Sequence, residues 1–171
     1  SITTAPLIIK QAREMGITSV IAAGDTWENA TIIENAGADA EGIVLSTFYD
    51  EAAPANDEAA SFLTGFKEYL TSIGEPDVIP AVSALGYDAY LTLVQAIKDA
   101  GSTDPAAVRD ALVNVQVTGV TGDIKFDENG DADKSLAFIK TVKDGQFQFL
   151  KTVSLEDTGA ASTADTAEAA E

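Results

Sequence analysis

Apolar and polar positions alternate between helical and strand spacing along the first half of the chain. In TTAPLIIKQAREMG (3–16), Leu7, Ile8, Ala12 and Met15 form a stripe at helical period. Thr4 can cap this helix, Pro6 suits its first turn, and Gly16 can close it. Ser19 to Ala23 reads as a buried strand. ENATIIENAG (28–37) is a short helix ended by Gly37, and EGIVLSTFY (41–49) is a second strand, apolar on both faces. Such strands are usually covered by helices on both sides.

Three longer helical patterns follow. APANDEAASFLTGFKEYLTSIG (53–74) has Asn56 or Asp57 as its cap, with Phe62, Phe66, Tyr69, Leu70 and Ile73 as its buried stripe. VSALGYDAYLTLVQAIKDAG (82–101) reads as a largely buried helix. STDPAAVRDALVN (102–114) has Thr103 or Asp104 as cap, Pro105 in the first turn, and Val108, Ala111 and Leu112 facing inward. The pattern then changes to strand residues with turns at Asn129-Gly130 and Asp144-Gly145, the second reading as a tight hairpin. Residues 154–171 are acidic and nearly free of large apolar groups, which predicts a disordered tail. The element order predicts a layered α/β fold.

Composition narrows the chemistry. The chain has 171 residues, a formal charge of −18, and neither cysteine nor histidine. That field repels phosphate backbones, so nucleic acid is not expected as a partner. Without His or Cys there is no Ser-His-Asp triad, thiol nucleophile or ordinary zinc site. Phosphate-cradling glycine motifs are absent as well. No acid pair stands out for general acid–base work, so an enzyme is not expected, and neither is a cofactor. FDENGDAD (126–133) suggests a calcium loop, but the glycine and terminal glutamate of an EF-hand are misplaced when counted from Asp127. A solvated turn is the better reading. Tyr69, Tyr87 and Tyr90 read as core residues, and Tyr49, at a strand end, stays open.

One stretch combines several signals. In TSVIAAGDTWEN (18–29), a strand delivers Asp25, Thr26 and the single tryptophan, Trp27, at its carboxyl end. Ligands of open parallel sheets bind there, where a carboxylate can meet an ammonium and an indole can wall a pocket. Asp25 or Thr26 could instead cap the following helix, and spacing alone favours the cap.

The segments IIKQAREMG, GDTW, AEGIVLSTFY, YDAYLTLVQAIKDAGSTDPAAVRDAL, GVTGDIKFDENGD and VKDG occur in that order, over about residues 5–153. Together they resemble the second half of a branched-chain amino acid (leucine/isoleucine/valine) type substrate-binding protein of an ABC transporter. The resemblance implies a type I periplasmic binding fold: two α/β lobes of three-layer build joined by crossing strands, with a ligand held between them. It divides the chain into 1–46 in the second lobe, 47–123 in the first, and 124–153 as a hairpin returning to the second. TFYDE and GVTGD would be hinge crossings. Asp25 takes the position of an acid that binds the ligand's α-ammonium, where branched-chain binders carry glutamate. Trp27 would border the pocket beside Thr26, and Val82 aligns loosely with an apolar contact from the other lobe.

The implied function is extracytoplasmic capture of an amino acid, branched-chain or similar, and delivery to a membrane permease. The protein would be periplasmic or extracellular, with a lipid anchor on its full-length parent left open. A ligand-sensing domain of a receptor or regulator with the same fold is the alternative. Members of the family are much longer, so the chain reads as a C-terminal fragment holding half a cleft. Dimerisation or exchange of elements between copies is an expectation that follows.

Overall fold

The computed structural model describes residues 2–134 and 136–154. Its elements in chain order are α1 (Ala5–Glu14), β1 (Ala22–Ala23), a 3-10 turn (Asp25–Trp27), α2 (Ala30–Ala36), a second 3-10 turn (Gly37–Ala40), β2 (Val44–Thr47), α3 (Asp57–Ile73), α4 (Ala81–Ala100), α5 (Pro105–Leu112), β3 (Val117–Gly119), β4 (Gly122–Ile124), β5 (Leu136–Lys143) and β6 (Gln146–Ser154). Beyond Ser154, the acidic tail expected over 154–171 lies outside the described residues.

A four-stranded sheet runs in the order β1-β2-β5-β6. β1 and β2 are parallel, with Ala22 opposite Val44, and α2 crosses between them as in a βαβ unit. β5 runs antiparallel to β2, with Thr47 opposite Phe138 and Leu45 opposite Lys140. The β5–β6 hairpin turns at Asp144-Gly145, whose φ values of 53° and 72° give the left-handed pair that a two-residue hairpin needs. Pairing jumps from Ile139–Lys151 to Lys140–Phe149, which leaves Leu150 as the extra residue of a bulge.

Two buried clusters form. The first joins Ala5 and Ile9 of α1 to Ile32, Ile33 and Ala36 of α2, with Ala40, Ile43 and Val142 beneath them. The inward side of α1 is therefore the Ala5–Ile9 pair, and the expected stripe is turned outward, with Leu7 and Ile8 exposed and Met15 at 78%. Thr4 precedes the helix without a side-chain capping bond. The strand expected over 19–23 contracts to β1, and Val20 is 69% exposed. As an edge strand, β1 pairs on one side only, and no element packs over Val20 among the described residues. β2 departs from expectation too. Leu45 and Thr47 are buried, while Ser46 on the opposite face is exposed, so helices cover one face rather than both.

The second cluster centres on Tyr49, Ala59, Ile79, Ala81, Ala84 and Val120. Asn56 caps α3 by accepting the Ala59 N–H at 2.8 Å. Phe62 and Phe66 stack with centroids 5.1 Å apart, and Tyr49 meets Phe62 edge-on at 6.1 Å. Tyr69 and Ile73 of the expected stripe are exposed. α4 is not largely buried. Its inner face is the small and polar series Ala81, Ala84, Asp88, Thr92 and Ala96, which lets α5 and β3 approach closely, while Tyr90 and Leu93 point out. Tyr90 and Tyr69 thus depart from the core reading, whereas Tyr87 is half-buried against Phe62.

Asp88 fastens this half. Its carboxylate accepts the N–H of Val120 at 2.7 Å, the N–H of Thr121 at 2.8 Å and the Thr121 hydroxyl at 2.5 Å. The donors belong to the turn between β3 and β4, inside GVTGD. Asn56 adds a bond from its side-chain amide to the Gly119 carbonyl at 2.9 Å. A Cβ on Gly119 would stand 2.5 Å from Asp88 Cγ and 2.7 Å from Oδ2, and the three bonds deny the carboxylate room to retreat.

Gly119→Ala is accordingly expected to cost about 2 kcal/mol by overpacking. Urea unfolding should show a lower midpoint with an unchanged slope, and the cost should shrink in an Asp88→Ala background. A second expectation concerns Tyr49, whose phenol is buried and has no hydrogen-bond partner among the described residues. Burial, then the charges of Glu51 and Asp50, push its pKa up to about 12. Above pH 10 the unfolded chain ionises this phenol and the folded chain does not, so stability falls between about pH 10 and 12. Tyr49→Phe should gain about 1 kcal/mol at neutral pH by removing an unpaired buried hydroxyl. The step near pH 12 should also vanish from a spectrophotometric tyrosine titration.

Candidate functional site

The parallel pair β1–β2 ends where the sequence placed its candidate ligands. Gly24 extends the chain from β1, and Asp25, Thr26 and Trp27 form one 3-10 turn. The turn does not cap α2. Asn29 does, its side-chain oxygen accepting the Thr31 N–H at 2.9 Å. The capping role considered for Asp25 or Thr26 is thus taken by a residue further on. The Asp25 carboxylate is half-buried and has no bonding partner among the described residues, and Thr26 is exposed. The Trp27 side chain packs on the first buried cluster beside Ile21. Val82 lies in the first turn of α4 and is 60% exposed.

Directly after this turn stands a group that the sequence reading missed. Glu28, Asp50 and Lys140 form a buried ion cluster, with Lys140 only 6% exposed. The Lys140 ammonium donates to Glu28 Oε1 and lies 2.9 Å from Asp50 Oδ2. Glu28 Oε2 accepts the Thr47 hydroxyl at 2.7 Å, and Asp50 Oδ1 accepts the Ala52 N–H at 2.7 Å. Two carboxylates share one ammonium, so the cluster keeps one excess negative charge. A signal was available: Phe138, Lys140 and Val142 share the inward face of β5, and a lysine at an inward position needs a buried carboxylate.

A cavity of about 500 Å³ opens beside the cluster. Glu28, Asn29, Asp50 and Lys140 give it a polar wall, and Val78, Ile79, Pro80, Phe147 and Phe149 an apolar one. Its walls come from both buried halves. Asp25, Thr26, Trp27 and Val82 are not among its lining residues, although Glu28 and Pro80 stand within three residues of them. Glu51 borders the same space, accepting the Ile79 N–H at 2.5 Å and pairing with Lys67 at 2.7 Å. The Glu51 bond holds the Lys67 ammonium above its usual range.

A separate lysine, Lys134, donates to the Thr121 hydroxyl at 2.6 Å and so joins the Asp88 network. Burial lowers its pKa, and the charges of Asp88 and Asp123 oppose that fall. The acidic turn after β4 uses its own carboxylate: Asp127 accepts the N–H groups of Asn129 at 2.8 Å and Asp131 at 2.9 Å. Those bonds, that of Asp131 first, hold it below the usual carboxylate range. This geometry is that of a turn bonded to itself, as the sequence suggested.

Comparison with known proteins places these features in a wider group. Residues 2–146 match the profile of the family described as periplasmic binding protein. A Leu/Ile/Val-binding protein homologue of Brucella abortus is 33% identical over 128 residues, covering 74% of this chain and 32% of the relative. This chain therefore spans about a third of the length of the curated relatives it matches. Among solved structures, a leucine-binding protein of Thermotoga maritima superposes with a TM-score of 0.78 at 35% identity, covering 91% of this chain and 43% of the other. An ABC transporter substrate-binding protein of Desulfitobacterium hafniense, in complex with leucine, superposes at 0.66 with 27% identity, covering 86% and 40%.

Proposed function

The chain belongs to the periplasmic binding protein family, alongside the Leu/Ile/Val-binding proteins, and from that premise we propose that it supplies one side of an amino-acid cleft in an extracytoplasmic solute-binding protein. The captured ligand passes to the permease of an ABC importer, and the role is non-catalytic. The observation that carries the reading is Asp25: a half-buried carboxylate at the carboxyl end of a parallel strand, without a partner among the described residues. Such a group suits the α-ammonium of a free amino acid. Thr26 lies beside it as a hydroxyl, the Trp27 indole stiffens the turn from behind, and Val82 offers an apolar contact from α4. The leucine held by the Desulfitobacterium protein points the reading to an apolar side chain.

The lobe assignment belongs to the same proposal. Residues 1–46 and 124–153 form one lobe and 47–123 the other. The two buried clusters support it, since they share no residue and the second draws only on residues between Tyr49 and Val120. The chain is then the C-terminal part of a longer protein, and the ligand's carboxylate is held by groups outside it. The exposed Val20, Val82 and Tyr90 belong to surface that such further protein would cover.

Calorimetric titration of the twenty amino acids into the longer protein tests the reading. One class, with apolar side chains, is expected to bind at micromolar affinity or better. Asp25→Ala should weaken that binding by about a hundredfold, as befits a lost charged hydrogen bond. Unchanged affinity in Asp25→Ala would remove the site, and no binding at all would remove the function. For the isolated chain, self-association over the uncovered surface is expected in light scattering. A monodisperse monomer overturns that part.

A further inference from the structure

We propose that Lys140 is a positioning residue for the ligand turn, acting on Asp25 through Glu28. The inference rests on the amino-acid reading of Asp25 and deepens it. Glu28 immediately follows the 3-10 turn Asp25–Trp27 and ends it, its backbone N–H bonding to the Asp25 carbonyl at 2.8 Å. Its carboxylate is held at both oxygens, by Lys140 of β5 and by the Thr47 hydroxyl of β2 at 2.7 Å. The main chain that bears Asp25 is thus tied to the two central strands within three residues of the carboxylate. The other backbone bonds of the turn are local, Trp27 N–H to the Gly24 carbonyl at 3.1 Å and Asn29 N–H to the Trp27 carbonyl at 2.8 Å. β1 is short, with Ala22 and Ala23 paired to β2 and the Val44 N–H bonded to the Ile21 carbonyl, at the edge of the sheet.

Lys140 also reaches Asp50, just past the carboxyl end of β2, where the chain leaves the sheet for α3. One ammonium therefore sets the ligand turn and the exit from the sheet relative to each other. A site whose acid must be placed to a fraction of an ångström needs such support. The excess negative charge of the cluster adds to the attraction for an ammonium at Asp25 without touching it.

A double-mutant cycle on amino-acid binding by the longer protein tests this. Lys140→Met is expected to weaken binding about tenfold when Asp25 is present and to have little effect once Asp25 is alanine, because the support then has nothing to position. Lys140→Arg should recover part of the loss. Thr47→Val removes one of the two tethers without stranding a charge. It should weaken binding several-fold, again only with Asp25 in place, and it keeps the test open if Lys140→Met fails to fold. Equal losses with and without the Asp25 side chain overturn the proposal and leave a purely structural role. An Asp25→Ala protein that binds as tightly as the parent instead overturns the underlying reading of Asp25.

Discussion

A single ammonium sunk into a β-strand constrains the carboxyl end of the sheet. Lys140 occupies an inward position between Phe138 and Val142, where it is 6% exposed and largely withdrawn from bulk water. Burying a charge is tolerable only with close counter-charges, and two are recruited from distant parts of the chain, Glu28 and Asp50. That demand fixes where the segment after β1 must run and where the chain must exit β2. The cost is large and the net gain over an apolar core is small, so the better account of the cluster is specificity of arrangement. Lys140 reaches from β5 to Glu28, which follows the turn after β1, and to Asp50, just past the end of the intervening strand β2.

A second polar device organises the other half. Asp88 replaces what would otherwise be an apolar contact on α4 and gathers the turn of GVTGD by three bonds. Asn56 ties the same turn to the first turn of α3. Lys134 completes the group from the segment that leads back to the sheet. The packing around it is ordinary, with aromatic rings from α3 on Tyr49 and Tyr87. The contrast between the halves is instructive: each has an apolar cluster for stability and a charged group that decides geometry.

Much of this was legible in the sequence, for local reasons. Asn56 and Asp104 cap their helices, Pro105 starts α5, and Asp144-Gly145 turns the hairpin, because each preference is set by a few neighbouring atoms. The facing of the helices was less legible. α4 turns small and polar residues inward and Tyr90 and Leu93 outward, and α1 buries Ala5 and Ile9 rather than Leu7, Ile8 and Met15, since inward faces are decided by what packs on them, and periodicity alone cannot show that. The turn Asp25–Trp27 stands directly after the strand that pointed to it in the sequence. Its anchoring was not, because Glu28 and Lys140 are 112 positions apart. An isolated lysine in an amphipathic strand was the available clue. The shift of the cap from Asp25 to Asn29 has a simple cause: the 3-10 turn interposes three residues before α2 begins.

The close approach between Gly119 and Asp88 has a consequence for substitution. The glycine is required because the carboxylate fills the space a side chain would use, and that carboxylate is held there by the turn the glycine opens. The two positions therefore cannot drift independently. A substitution at 119 meets the acid at 88, and loss of that acid opens the space at 119. Thirty-one residues apart in the chain, the two positions share one volume and answer to substitution as one site.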